Sequence, residues 1–211
     1  ALNGTPEAPT LEGGVINTPE SEKKKKKKRD AFSNDLSNTK IPEGFQDEFS
    51  DTDQVDSLLA NTIKNPKFRF VLQRAKQRQL PASVALIPVV ESHYQTHALS
   101  PKGAQGAWQL MPKTAKNYGL LQEDIQNFTT STEAAMQLLT DLHQTFGNWT
   151  LTFAAYNAGA RRVKTALQRC PHAKYLTDLD LPLETQQYVY RLNCLYHSMK
   201  TTYATGNKII R

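Results

Sequence analysis

Ser83-Val84-Ala85-Leu86-Ile87-Pro88-Val89-Val90-Glu91-Ser92 is the stretch on which the reading of this chain turns. Residues 83–90 are strongly apolar and contain Pro88. A run of this length fits either a short buried strand or a buried helical segment. Proline inside a helix removes a backbone hydrogen bond and kinks it, so a bent helix is expected here. The run ends at Glu91, the only Asp or Glu between residues 57 and 122. A carboxyl in that position is expected to be partly desolvated. Desolvation disfavours the anion and raises the pKa, which suits a general acid at neutral pH. Taken alone, the same feature also fits a glutamate making an ordinary hydrogen bond at a helix end.

Helical spacing surrounds this run on both sides. Upstream, Val55, Leu58, Leu59 and Ile63 recur with a helical period, and Phe68, Phe70, Val71 and Leu72 begin another apolar segment. Downstream, Pro112 suits the first turn of a helix that ends at Gly119. Thr130-x-x-Glu133 has the form of a capping box ahead of Ala134, Ala135, Leu138, Leu139 and Leu142. Residues 151–158 predict a short helix, and Tyr188, Leu192, Leu195, Tyr196 and Met199 stripe a long final one. No strand-like alternation persists, so the fold class expected is all-α.

The 211 residues suffice for one domain with a sizeable core plus a tail. Residues 1–45 read as a disordered polar leader, rich in Pro, Gly, Ser, Thr, Asn, Glu and Lys. The folded domain is expected over 46–205. The formal net charge is +6; the leader holds eight Lys/Arg against seven Asp/Glu, and residues 46–211 hold eighteen against thirteen. The positive balance therefore lies in the folded part and suits an anionic partner: nucleic acid, anionic lipid or the bacterial wall. The run from Lys23 to Lys28 followed by Arg29 reads as a solvated linker cluster, or as a contact for anionic lipid or wall polymer. Cys170 and Cys194 fit a disulfide or two buried thiols, with no CxxC to suggest a zinc ribbon or redox site. The start, Ala1-Leu2-Asn3-Gly4, lacks the basic end and apolar block of a signal peptide, so an exported protein would have had its signal removed.

Three further stretches carry candidate chemistry. Residues 100–112 read Ser100-Pro101-Lys102-Gly103-Ala104-Gln105-Gly106-Ala107-Trp108-Gln109-Leu110-Met111-Pro112. Gly103 and Gly106 permit tight turns and close approach of a chain or ligand. Trp108, Gln109 and Met111 offer an aromatic face, an amide and a thioether, which suit the CH face and polar groups of a sugar; Trp108 fits a core position equally well. In Ala154-Ala155-Tyr156-Asn157-Ala158-Gly159, the Tyr156 hydroxyl could hold a catalytic carboxyl, or be an ordinary core tyrosine. In Leu183-Glu184-Thr185-Gln186-Gln187-Tyr188-Val189, Glu184 suits the first turn of a helix on dipole grounds alone.

In this order the motifs resemble those of the lytic transglycosylases of the soluble and membrane-bound D type, which have a goose-lysozyme-like fold. Glu91-Ser92 is similar to the family's catalytic pair. Gly103-Ala104-x-Gly106-x-x-Gln109-x-Met111-Pro112-x-Thr114-Ala115 resembles its glycine-rich substrate motif. Ala155-Tyr156-Asn157-Ala158-Gly159 and Glu184-Thr185-x-x-Tyr188-Val189 resemble its third and fourth motifs. The resemblance runs from about residue 65 to 200. Trp108, with Asn117-Tyr118-Gly119-Leu120, points to the membrane-bound D branch, although the wider family often has Met at the position of Trp108. No LysM-like wall-binding repeat is expected after the domain.

The resemblance implies a lysozyme-like helical domain with a substrate groove, acting on peptidoglycan in the periplasm or cell envelope. It implies that Glu91 protonates the glycosidic oxygen between N-acetylmuramic acid and N-acetylglucosamine. The substrate's 2-acetamido group then stabilises C1, and Glu91 takes the proton of the attacking C6 hydroxyl, giving a 1,6-anhydro end. Ser92 and Tyr156 are expected to orient or bond Glu91. Ser100, Gln109, Met111 and Asn157 are expected to contribute to the sugar site, with Glu184 and Tyr188 closing it. No cofactor is expected, since no nucleotide-binding Gly-rich motif and no Gly-x-Ser-x-Gly elbow occurs. His93-x-x-x-His97 lacks the intervening glutamate of a zincin, and no metal is expected. The competing readings are a muramidase cutting the same bond with water, a non-catalytic wall-binding or secretion-associated module, and a nucleic-acid binder. The last rests on charge alone.

Overall fold

A computed structural model describes residues 39–204, apart from the side chains of Tyr203 and Ala204. The leader expectation for residues 1–38, including the basic run from Lys23 to Arg29, lies outside the described residues. Within them the fold is helical. Eight α-helices are α1 (Thr52–Lys64), α2 (Pro66–Gln77), α3 (Ile87–Ser92), α4 (Pro112–Asn117), α5 (Phe128–Phe146), α6 (Trp149–Ala158), α7 (Ala160–Arg169) and α8 (Leu183–Ala204). The only extended pairing among the described residues is two isolated bridges, Leu99 with Gln105 and Gln105 with Leu110.

Local chemistry sets the helix ends. Asp51 caps α1 by accepting from the Asp53 and Gln54 N–H groups. The Asn65-Pro66 step separates α1 from α2: a residue before proline is pushed out of the helical region, and Asn65 then caps α2 through the Lys67 N–H at 2.9 Å. Val55 and Leu59 of α1, and Phe68, Val71, Leu72 and Ala75 of α2, form the buried stripes. The capping box expected at Thr130 and Glu133 is not formed. Helix α5 starts earlier because Asn127 accepts from the Thr129 and Thr130 N–H groups. Glu133 instead pairs with Arg74 at 2.6 Å and with Arg78, tying α5 to the end of α2.

Residues 82–92 are not one helix kinked at Pro88. A 3-10 turn, Ala82–Leu86, runs into α3, and Pro88 occupies the first turn of that helix. There its missing N–H would have had no partner in any case, so the bend lies between the two elements. Val84 to Val89 are buried throughout. Immediately after α3, His93 and Tyr94 both adopt left-handed backbone, with φ of 51° and 65°. Tyr94 holds this turn by donating to the Ala85 carbonyl at 2.6 Å.

Helix α6 is apolar on nearly every side, as a helix in the centre of a domain must be, and it packs on α5, α7 and α8. Helix α8 lies along α1 and α6 and buries Tyr188, Val189, Leu192, Leu195 and Met199. Residues on either side of the expected start at 46 touch α8. Phe45 packs edge-on to Tyr190 at 4.8 Å between ring centroids, and Asp47 accepts from Arg191 at 2.7 Å. Cys170 and Cys194 are both free thiols. No helix among the described residues is long and apolar enough to cross a membrane.

Trp108 is a core residue. Its side chain is fully buried and its indole N–H donates to the Thr132 hydroxyl at 2.9 Å, so the aromatic face is not available to a ligand. Thr132→Val should leave that buried donor without an acceptor and cost about 1–3 kcal/mol. The loss would be read as a lowered urea midpoint with unchanged m-value; an unchanged midpoint would remove the indole hydrogen bond from the core's account.

Candidate active site

A groove of about 350 Å³ runs between the glycine-rich loop, α6 and the start of α8, and Glu91 lines it from the last turn of α3. Of the residues singled out in the sequence, Ser100, Gln109, Met111, Tyr156, Asn157 and Glu184 line it as well. Ser92, Gly103, Gly106 and Tyr188 are not among its lining residues. Thr114 of the glycine-rich motif lines it too, as do Lys102 and Leu138, to which sequence reasoning gave no site role. Leu138 lies in the apolar stripe of α5, where nothing distinguishes a groove residue from a core one.

The Glu91 carboxyl lies deep in the site although part of the residue faces the opening. Burial pushes its pKa from an ordinary 4.5 up to about 7. The Tyr188 hydroxyl works against that rise, and the charge of Glu184 adds to it. No hydrogen bond of normal geometry joins Tyr188 to Glu91. Its hydroxyl is the one buried side-chain polar atom without a partner among the described residues. It lies beside the Glu91 carboxyl, near enough to favour its anion.

Ser92 and Tyr156, expected to orient or bond Glu91, both hold the loop beside it. Ser92 donates to the Ala107 carbonyl at 2.9 Å, and Tyr156 donates to the Trp108 carbonyl at 2.8 Å. Both are therefore spent on the backbone of the glycine-rich loop. Tyr156 is still near enough for Glu91 to raise its pKa further, on top of the larger effect of burial. The loop's shape explains its glycines. Gly106 has φ of 76°, and a Cβ there would lie 2.8 Å from the Ile125 carbonyl oxygen. Gln109 takes a left-handed φ of 48° without being glycine. Its amide donates to the Gly106 and Ala98 carbonyls, at 2.8 and 3.3 Å. Strain of this kind clusters at functional sites.

The remaining wall is polar. Ser100 accepts from the Ala104 N–H at 2.9 Å, and Asn157 accepts from the Thr185 hydroxyl at 2.8 Å, joining α6 to α8. Glu184 differs from Glu91 in every respect: its side chain is 67% exposed and pairs with Lys102 at 3.3 Å. Met111 is exposed at the edge. His93 and His97 do not converge, because α3 ends at Ser92. His93 faces Glu48 at 3.7 Å and His97 faces Gln126 at 2.9 Å. No grouping of His, Cys, Asp or Glu suited to a metal occurs among the described residues. The arrangement can therefore deliver one proton from a buried acid to a ligand in the groove and take one back.

Known proteins share this architecture. Residues 70–178 match the family model of the transglycosylase SLT domain. The chain is 36% identical over 152 residues to the membrane-bound lytic murein transglycosylase D of Escherichia coli K12, covering 68% of this chain and 34% of that protein. It thus spans about a third of that relative's length. The crystal structure of the 70 kDa soluble lytic transglycosylase of Escherichia coli superposes with a TM-score of 0.58 at 26% identity, over 67% of this chain and 25% of that one. An inactive glutamate-to-glutamine mutant of the lytic transglycosylase Slt of Pseudomonas aeruginosa superposes with a TM-score of 0.50 at 29% identity, over 64% of this chain and 24% of that one. The helical fold, the groove and the family match together make this chain a member of the transglycosylase SLT domain family.

Proposed function

We propose that this domain is a peptidoglycan lytic transglycosylase. It cleaves the β-1,4 bond between N-acetylmuramic acid and N-acetylglucosamine and leaves a 1,6-anhydro end. The observation that carries the reading is the Glu91 carboxyl, buried in the groove with a pKa near 7 and no second buried acid beside it. Glycosidases that work with two carboxylates need both at the scissile bond. The groove's other acid, Glu184, is solvated and ion-paired. A group titrating near the working pH serves both as donor and as acceptor. The inactive glutamate-to-glutamine mutant of the Pseudomonas relative supports a glutamate in this role.

Glu91 protonates the glycosidic oxygen, and the leaving sugar departs with that proton. The substrate's 2-acetamido oxygen stabilises the cationic C1. The Glu91 carboxylate then removes the C6 hydroxyl proton as that oxygen bonds to C1, so Glu91 ends protonated and no water is consumed. The unpartnered Tyr188 hydroxyl is a donor held ready for the carboxylate that exists between the two steps. Ser92 and Tyr156 act through the loop they anchor, Gly103 and Gly106 through its shape. Ser100, Gln109, Met111 and Asn157 contact the sugars, and Glu184 with Lys102 closes the groove. The catalytic unit spans 46–205. It works in the periplasm or cell envelope, with the basic run from Lys23 to Arg29 as a contact for anionic lipid or wall.

Digestion of purified sacculi should release muropeptides lighter than hydrolysis products by the mass of one water. Products carrying that water would make the enzyme a muramidase, and no release at all would make the domain a binding module. Glu91→Gln should lower release by about 10²–10⁴-fold.

The acid step requires the protonated carboxyl, so kcat/KM should fall as pH rises through about 7. A rate that stays level to about pH 9 would contradict Glu91 as the acid.

The same pKa has a stability consequence. The folded value lies above the unfolded one, so Glu91's contribution is fully present below about 4.5 and lost as pH rises through about 7. Glu91→Gln should therefore gain stability relative to the parent between pH 5 and pH 8, by at most about 3 kcal/mol. Urea unfolding at the two pH values measures the difference.

A further inference from the structure

The groove that holds Glu91 lies between the glycine-rich loop and the start of α8, and an ion pair joins those two walls. Lys102 comes from the loop and Glu184 from the first turn of α8; both line the groove, and they meet at 3.3 Å. A bond from one wall to the other spans the space between them. Exposure tells at which level it does so. The side chains of Lys102 and Glu184 are 78% and 67% exposed, whereas the Glu91 carboxyl is embedded. The neighbouring link from α8, Thr185 to Asn157, is made by a buried threonine. The ion pair therefore crosses the groove on its solvent side, with Glu91 on the inner side.

Both ends of the pair stand on fixed backbone. Lys102 sits in a turn closed by two bonds of 2.9 Å, from the Gly103 N–H to the Ser100 carbonyl and from the Ala104 N–H to the Ser100 hydroxyl. Glu184 sits in a long helix. Among the described residues neither side chain has another hydrogen-bond or ion-pair partner. The pair can thus part by side-chain rotation alone, without movement of loop or helix. An exposed ion pair contributes little stability, so a ligand that fills the groove can displace it.

We propose that the Lys102–Glu184 pair is a latch across the groove, which an entering glycan strand must part. The inference rests on the glycan reading of the groove. Parting the latch leaves Glu184 without its cation, on the same groove as Glu91. The charge of Glu184 favours the protonated form of Glu91, and a like charge acts more strongly with no counter-ion beside it. The other titratable groups bearing on Glu91 are Tyr188 of α8 and Tyr156 of α6, and burial keeps both hydroxyls neutral. Entry of the strand thus tightens the hold of Glu91 on the proton that it delivers to the glycosidic oxygen. Glu184 is then a positioning residue for the acid step, and Lys102 masks it while the groove is empty.

The test uses the full chain and an uncharged probe, a soluble N-acetylglucosamine oligomer, so that salt acts only through the protein's own charges. Its Kd is measured by calorimetry at low and at high salt. The parent should bind about two- to five-fold more tightly at high salt, where the latch is weakened. Lys102→Met and Glu184→Gln should each bind about two- to five-fold more tightly than the parent at low salt and lose the salt response. Exchange of the two charges, Lys102→Glu with Glu184→Lys, should restore the weaker, salt-sensitive binding of the parent. Weaker binding by either single variant would make that residue a sugar contact and overturn the latch, as would a parent indifferent to salt. In turnover of soluble glycan strands, the high-pH limb of kcat reports the occupied enzyme. That limb should move to lower pH in Glu184→Gln and stay in place in Lys102→Met; limbs that coincide in the two variants would overturn the part given to Glu184. Equal binding by parent and variants removes the latch alone, whereas no binding by any of them removes the glycan reading and the latch with it.

Discussion

Desolvation of the Glu91 carboxyl is the constraint around which the groove is arranged. The turn and helix that carry it are buried from Val84 to Val89, and α3 ends at Ser92, the residue after Glu91. Two successive left-handed residues, His93 and Tyr94, then turn the chain away. The Tyr94 hydroxyl, bonded to the Ala85 carbonyl, locks that turn against the helix it follows. A longer helix would have carried the chain past the groove. A more solvated position would have left the carboxyl near its ordinary pKa, ionised at neutral pH.

The glycine-rich loop is the second half of the same device. Its backbone carbonyls are held by side chains from two helices: Ser92 of α3 on Ala107 and Tyr156 of α6 on Trp108. Its indole reaches a third helix through Thr132 of α5. The loop passes so close to Ile125 that only glycine fits at position 106. Hydrogen bonds that look like catalytic contacts from the sequence are thus spent on fixing a loop. That leaves Tyr188 as the neighbour of Glu91 whose hydroxyl is uncommitted.

Glu91 and Glu184 line one groove under opposite conditions. One is embedded and its proton is hard to remove; the other is solvated and paired with Lys102. Environments that push two carboxyls apart assign them different work. On the proposed reading, the acid–base chemistry falls to Glu91 and the closure of the groove to Glu184.

The sequence by itself determined the helical class, most helix positions and the isolation of Glu91. Each of these is local: a 3.6-residue apolar period, proline in a first turn, a carboxyl ending an apolar run. Only the tertiary structure decided where Pro88 falls relative to the bend, and that Asn127 rather than Thr130 caps α5. It alone put Trp108 in the core and Glu133 against Arg74 and Arg78. Tyr156 and Trp108 are 48 residues apart, and Arg74 and Glu133 are 59 apart. Partners at such separations are chosen by how helices pack, which no local pattern encodes.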